Sequence, residues 1–191
     1  MRISKPLTYA AIGLLVMIGH LVNAQGWNQD RAGIYSVGVG GTQLIGFGDG
    51  YSGVSGPGLS LNVSGEYKVQ RFVGVGFETG VDLFFGDEFF GPRFERPAVG
   101  YTSIAIPIGA KVNVHILEAA NVAIKDRLDV YAGLNLGGGP AIYTAPAPYA
   151  TVYGFIHVGP QFGIRYWLNH SIAIFGEFGW GATFANVGFT F

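Results

Sequence analysis

Asn169-His170-Ser171 is the one place in the chain where a hydroxyl and an imidazole stand side by side, the pairing that nucleophilic hydrolysis needs. A triad also needs a carboxylate to orient the imidazole, and none lies within local reach of His170. His115 and His157 offer ring nitrogens to a metal, but they fall on separate segments with no ligand spacing between them. Gly48-Asp49-Gly50-Tyr51-Ser52-Gly53 matches G-x-G-x-x-G, yet Pro57 and the extended segment after it remove the helix whose N-terminus would hold a phosphate. The chain has no G-x-S-x-G, P-loop, H-E-x-x-H or EF-hand pattern. It also has no cysteine, which excludes thiol catalysis, Cys-ligated zinc and iron-sulfur clusters. The expectation is a protein without catalytic, cofactor-binding or metal residues.

What the chain does pattern is charge. Glu66, Lys68, Glu78, Asp82, Lys111, Asp129, Arg165 and Glu177 all fall on the small or polar parity of alternating segments. Asn62, His115, Asn135, His157 and Gln161 share that parity. Segment 58–70 sets Leu59, Leu61, Val63, Tyr67 and Val69 on one face, with Ser60, Asn62, Ser64, Glu66, Lys68 and Gln70 on the other. Segment 72–84 repeats this with Val73, Val75, Phe77, Thr79, Val81 and Leu83 against glycines and acids. A helix here would carry glycine in every turn at about 1 kcal/mol each, so the segments are strands. Six more follow the rule: 35–44, 102–114 (Ile104, Ile106, Ile108, Ala110 and Val112 on the apolar face), 128–136, 153–166, 172–180 and 183–191. Loops over 45–57, 85–100 and 137–150 and a tight Gly181-Ala182 link belong to one end, short turns near 70–71, 118–127 and 168–170 to the other. Pro107 and Pro160 fall inside strands, where a bulge or irregularity is expected.

Alternation alone does not say which face is inside, but composition does. Charged residues are 12% of the 191, about half the ~25% usual for a soluble domain, beside 49% hydrophobic residues and 32 glycines. A soluble barrel needs Lys and Glu over its outer face, whereas here the second face is mostly glycine, serine and asparagine. That face suits the narrow interior of a small barrel, and the apolar face suits acyl chains. In hydrocarbon every backbone group must be paired, so strands survive there only as a closed cylinder. A crossing takes ~9 to 11 residues, so eight strands leave room for loops and sixteen leave none; ten remain possible. The expected fold is all-β, an eight-stranded antiparallel transmembrane β-barrel. Five interior acids then face three permanent bases. They form either a proton or cation path or a plug of ion pairs; the pairing habit of buried charge favours the plug, with Lys111 and Asp129 as the expected pair.

Residues 1–24 read as a signal peptide: Arg2 and Lys5, an apolar stretch of about a dozen residues, then Val22-Asn23-Ala24, with cleavage before Gln25. That stretch falls short of the ~20 residues of a membrane-spanning helix. Residues 25–191 form one domain, whose nine Lys/Arg against twelve Asp/Glu give a net charge of −3 and no basic field for nucleic acid. Aromatics collect at two rims, Tyr35, Tyr166, Trp167, Phe189 and Phe191 at one and Phe85, Tyr101, Tyr149, Tyr153 and Trp180 at the other. Val187, Phe189 and Phe191 alternate to the last residue.

In these features the chain resembles the bacterial outer-membrane β-barrel families, and in size and pattern the small OmpA/OmpX-like superfamily with its glycine-rich barrel domains. The resemblance implies a place in the cell outer membrane, contact with its lipids, and reading of the last strand by the barrel-assembly machinery. Phe89, Phe90, Arg93, Phe94 and Arg96 mix aromatic and charged side chains on an outer loop, which either meets a surface partner or dips into the headgroup belt. The expected role is structural or surface-interacting, without cofactor. The alternatives are a narrow pore or lateral-exit carrier for small or hydrophobic solutes, and a lipid-modifying enzyme built on His157 or His170.

Overall fold

The computed structural model describes residues 33–42, 45–48, 51–54, 58–86, 101–144, 150–179 and 183–191. The signal segment 1–24 and the loop residues Phe89, Phe90, Arg93, Phe94 and Arg96 lie outside the described residues, as do the side chains of the second aromatic rim and of the G-x-G-x-x-G stretch.

Strands run in the order β1 (Gly33–Thr42), β2 (Ile45–Gly48), β3 (Tyr51–Val54), β4 (Gly58–Gln70), β5 (Val73–Gly86), β6 (Tyr101–Ala105), β7 (Ile108–His115), β8 (Leu128–Thr144), β9 (Ala150–Trp167), β10 (Ala173–Gly179) and β11 (Ala185–Thr190). β6 and β7 are two halves of one wall strand, since both pair with β5 and with β8 in a single continuous register. Counted that way, eight antiparallel wall strands close on themselves, from β1 through β4, β5, β6/β7, β8, β9 and β10 to β11 and back to β1. The final residue completes the seam: Phe191 N–H donates to the Tyr35 carbonyl at 2.7 Å and Tyr35 N–H to the Phe191 carbonyl at 3.1 Å. Closure pairs each wall strand on both sides through the lower part of the barrel, while β9 above Gln161 runs beyond its β10 partner.

The faces follow the sequence parity. Leu61, Val75 and Ile106 point outward at 40%, 37% and 38% exposure, while Glu66 and Lys111 point inward at 2%. Val187 and Phe189 also face outward. At the turn end Tyr35 and Tyr67 join edge to face, with their hydroxyls 2.5 Å apart.

Three expectations change. Segment 137–150 is mostly strand: β8 reaches Thr144 and β9 begins at Ala150, paired from Thr144↔Ala150 onward. Gly137, Gly138 and Gly139 read as loop residues, yet a Cβ on them would lie 2.5, 2.3 and 2.0 Å from neighbouring carbonyl oxygens, so they permit close strand approach. Segment 45–57 holds a hairpin, β2–β3, set against β9 through Phe47↔Ile156. Pro107 brings the expected irregularity, an interruption at 106–107 that leaves the register unshifted, whereas Pro160 brings none and pairs with Leu134 in unbroken register one residue past the last β9–β10 pair. The register shift that does occur is at Lys68/Gln70, beside the β4–β5 turn.

A Cβ at Gly76 would sit 2.1 Å from the Gly65 carbonyl oxygen, whereas at Gly154 nothing lies within 4 Å. Gly76→Ala is expected to lower unfolding stability by about 1–3 kcal/mol and Gly154→Ala to leave it within ~0.5, read from urea unfolding in detergent micelles.

The lumen as candidate functional site

Alternation points every second residue of each wall strand into a cylinder with room for little more than side chains. On the β8–β9 ladder Asp129 stands directly opposite Arg165. The Arg165 guanidinium donates through Nη1 to Asp129 Oδ2 at 3.0 Å and through Nη2 to Glu66 Oε2 at 2.7 Å. His115, from β7, fills the other side of the same two carboxylates, with Nδ1 2.8 Å from Asp129 Oδ1 and Nε2 2.5 Å from Glu66 Oε1. Carboxylates accept but do not donate, so an imidazole that satisfies both carries hydrogen on both nitrogens. Two cations and two anions then cancel in a buried ring drawn from four strands.

The ring is buttressed on every side. Arg165 stacks over Tyr131 at 4.1 Å from the ring centroid, and Tyr131 donates its hydroxyl to Glu177 Oε2 at 2.8 Å. Asn113 Nδ2 donates to Glu66 Oε2 at 3.0 Å, and Gln161 Nε2 donates to Asn113 Oδ1 at 2.6 Å. Asn135 Nδ2 donates to Gln161 Oε1 at 3.3 Å. Lys111 lies 3.6 Å from Glu177 Oε2 and donates to Ser64 Oγ at 3.3 Å. Lys68 is half-buried one inward position nearer the turn than Glu66.

The expected Lys111 and Asp129 pair is therefore not formed. Lys111 stands opposite Asn135, and Asp129 lies six residues further along β8, roughly 20 Å at the strand rise. Depth along a tilted strand is not legible from parity, and the direct neighbour of Asp129 is Arg165. Asn113 and Tyr131 were missed, although each shares the inward parity of Lys111 and Asp129.

Nearer the loop end a second group gathers. His157 Nε2 is 3.4 Å from Glu78 Oε1, and the ring stacks on Phe155 with centroids 6.1 Å apart. Asp82, fully buried, lies beside the hydroxyls of Ser60 and Thr42. Apolar side chains stop both ends of the lumen: Phe84, Ala105, Ala141 and Phe155 at the loop end, Ile34, Trp167 and Ala173 at the turn end. Trp167 thus leaves the expected rim; Tyr166 faces outward, so its neighbour must face in.

Asn169-His170-Ser171 forms a turn. Asn169 Oδ1 accepts from the backbone N–H of Ser171 at 2.8 Å and of Ile172 at 2.9 Å, and all three residues are exposed. Among the described residues no group of three His, Asp or Glu side chains is placed to hold a metal ion.

No family model and no curated protein matches the chain. Solved structures do. Ail, the attachment invasion locus protein of Yersinia pestis, crystallised with the heparin analogue sucrose octasulfate, is 15% identical over 83% of this chain and 94% of that one, with a TM-score of 0.46. Neisserial surface protein A is 11% identical over 83% of this chain and 91% of its own, at 0.49. The N-terminal β-barrel domain of OprF from Pseudomonas aeruginosa is 8% identical over 84% and 96%, at 0.42. The barrel assignment stands on the strand pairing itself.

Removing one member of a buried charge ring leaves the others uncompensated, at a cost of about 3–5 kcal/mol. Arg165→Met is expected to lose that much unfolding stability, and Lys68→Met less than ~1 kcal/mol, because the latter side chain is only half-buried. Urea midpoints in detergent micelles compare the two.

Proposed function

We propose that this chain is an integral barrel of a bacterial outer membrane, reached through the signal segment at residues 1–24, with a structural or surface-interaction role and no catalysis. The observation that carries the reading is the inversion of a soluble protein: large apolar side chains face outward from the wall strands, while charged side chains are buried inside and pair around Arg165. Such a surface is stable against acyl chains, and a closed ladder is the arrangement by which strands satisfy their backbone groups there.

The interior supports a plug over a conduit. A path for ions would need a continuous wet column, whereas the Glu66, His115, Asp129 and Arg165 ring lies between the two apolar stoppers. Function then belongs to the ends and the outer face. On this reading Val187, Phe189 and Phe191 present the last strand to the assembly machinery, and Phe89, Phe90, Arg93, Phe94 and Arg96 meet a partner surface.

Protein reconstituted into planar bilayers is expected to show no sustained open-pore steps. Large, voltage-independent conductance steps from an otherwise folded preparation would replace the plug with a pore. Deleting 87–96 is expected to remove adhesion to host-cell surfaces while leaving the barrel folded; unchanged adhesion would take the partner role from that loop.

A further inference from the structure

Among the described residues, every acid of the lumen but one is answered by a cation. Glu66 and Asp129 share Arg165 and His115, and Glu177 lies 3.6 Å from Lys111. Glu78 has His157 at 3.4 Å. Asp82 is the exception. It is 0% exposed, it forms no ion pair among the described residues, and neither of its carboxylate oxygens has a hydrogen-bond partner. Even with His157 protonated, Glu78 and Asp82 carry one negative charge more than the loop-end half of the lumen balances. An unpaired charge at such depth is strongly destabilising, so the folded barrel must neutralise it.

What surrounds Asp82 is oxygen. Ser60 is its ladder partner on β4, the hydroxyls of Ser60 and Thr42 flank the carboxylate, and both residues are buried. Ser60 Oγ is 3.4 Å from Thr183 Oγ1, and Thr183 is half-buried in the β10–β11 link. A line of hydroxyls thus runs from the loop end of the barrel to the carboxylate. Carboxylate and hydroxyl oxygens are hard donors, which suit alkali and alkaline-earth cations rather than the metals that prefer imidazole or thiolate. Beside one carboxylate a divalent ion would leave a buried positive charge in its turn, whereas a monovalent ion leaves none.

We infer that Asp82, with Ser60 and Thr42, binds one alkali-metal cation in the loop-end half of the lumen. The site lies inside the wall, so it does not depend on what covers the outer face. It also differs in kind from the ring of Glu66, His115, Asp129 and Arg165, which neutralises itself with the chain's own side chains.

The test reads the urea unfolding equilibrium of the full chain, refolded in nonionic detergent, in mildly alkaline buffer at constant ionic strength. Sodium chloride is exchanged stepwise for choline chloride, whose cation is too large for the site. Binding to the folded state alone lowers the unfolding constant about tenfold for each tenfold rise in sodium beyond half-saturation. Asp82→Asn keeps the shape without the charge and is expected to abolish that dependence. Ser60→Ala is expected to move half-saturation to at least ~threefold higher sodium, as for one lost neutral ligand. Glu118→Gln, at the turn end, is expected to leave it unchanged. An unfolding constant that is equal in sodium and in choline overturns the inference, whether the carboxyl then keeps its own proton or meets water alone. So does a sodium dependence that survives in Asp82→Asn, because the ion would then sit elsewhere. Far-UV circular dichroism checks folding; if Asp82→Asn fails it, Ser60→Ala decides, and an unmoved half-saturation overturns the inference.

Discussion

An eight-stranded cylinder has room along its axis for little more than side chains, so each charge placed inside must be answered from another strand across the centre. The ring of Glu66, His115, Asp129 and Arg165 is that answer. Ladder hydrogen bonds tie each strand only to its neighbours, but the ring joins β4 to β7 over the intervening β5, and β4 to β9 through the lumen. It therefore acts as a cross-brace that the sheet cannot supply. Two cations facing two anions leave no net charge to draw a counter-ion inward, and the apolar stoppers at both ends keep the ring in the low dielectric that strengthens its bonds.

The same shortage of space explains the glycines. Where Tyr131 and Glu66 lean over the neighbouring strand, that strand must give up its own side chains: Gly163 is the ladder partner of Tyr131, and Gly74 lies two residues from Gly76, the ladder partner of Glu66. Volume is thus conserved around the axis: a few large charged residues are accommodated by many empty positions. Gly41, Gly154 and Gly176 stand outside that exchange, since an added Cβ there would meet no atom closer than 3.9 Å.

The wall is uneven in height. β8 and β9 run for seventeen and eighteen residues, against seven and six for β10 and β11, so the upper part of β9 rises past its barrel partner. The β2–β3 hairpin, on the connection between β1 and β4, lies against that rise. Glycine and proline at 137–140 read as a loop because breakers usually end strands; here glycine lets backbones approach closely, and Pro140 stays in register opposite Gly154.

Parity is local, and the chain carried it openly. Which residue faces out, a barrel of eight strands rather than sixteen, and a charged interior beneath an apolar exterior all follow from a period of two, from chain length and from composition. Leu61, Val75, Glu66 and Lys111 lie on the faces their positions imply. Which charge meets which was settled only by tertiary structure, since partners across a barrel depend on strand tilt and register, which accumulate around the closed wall and leave no mark at either residue. Asp129 found Arg165 and His115 rather than Lys111, and Asn113 and Tyr131 joined the network, for that reason.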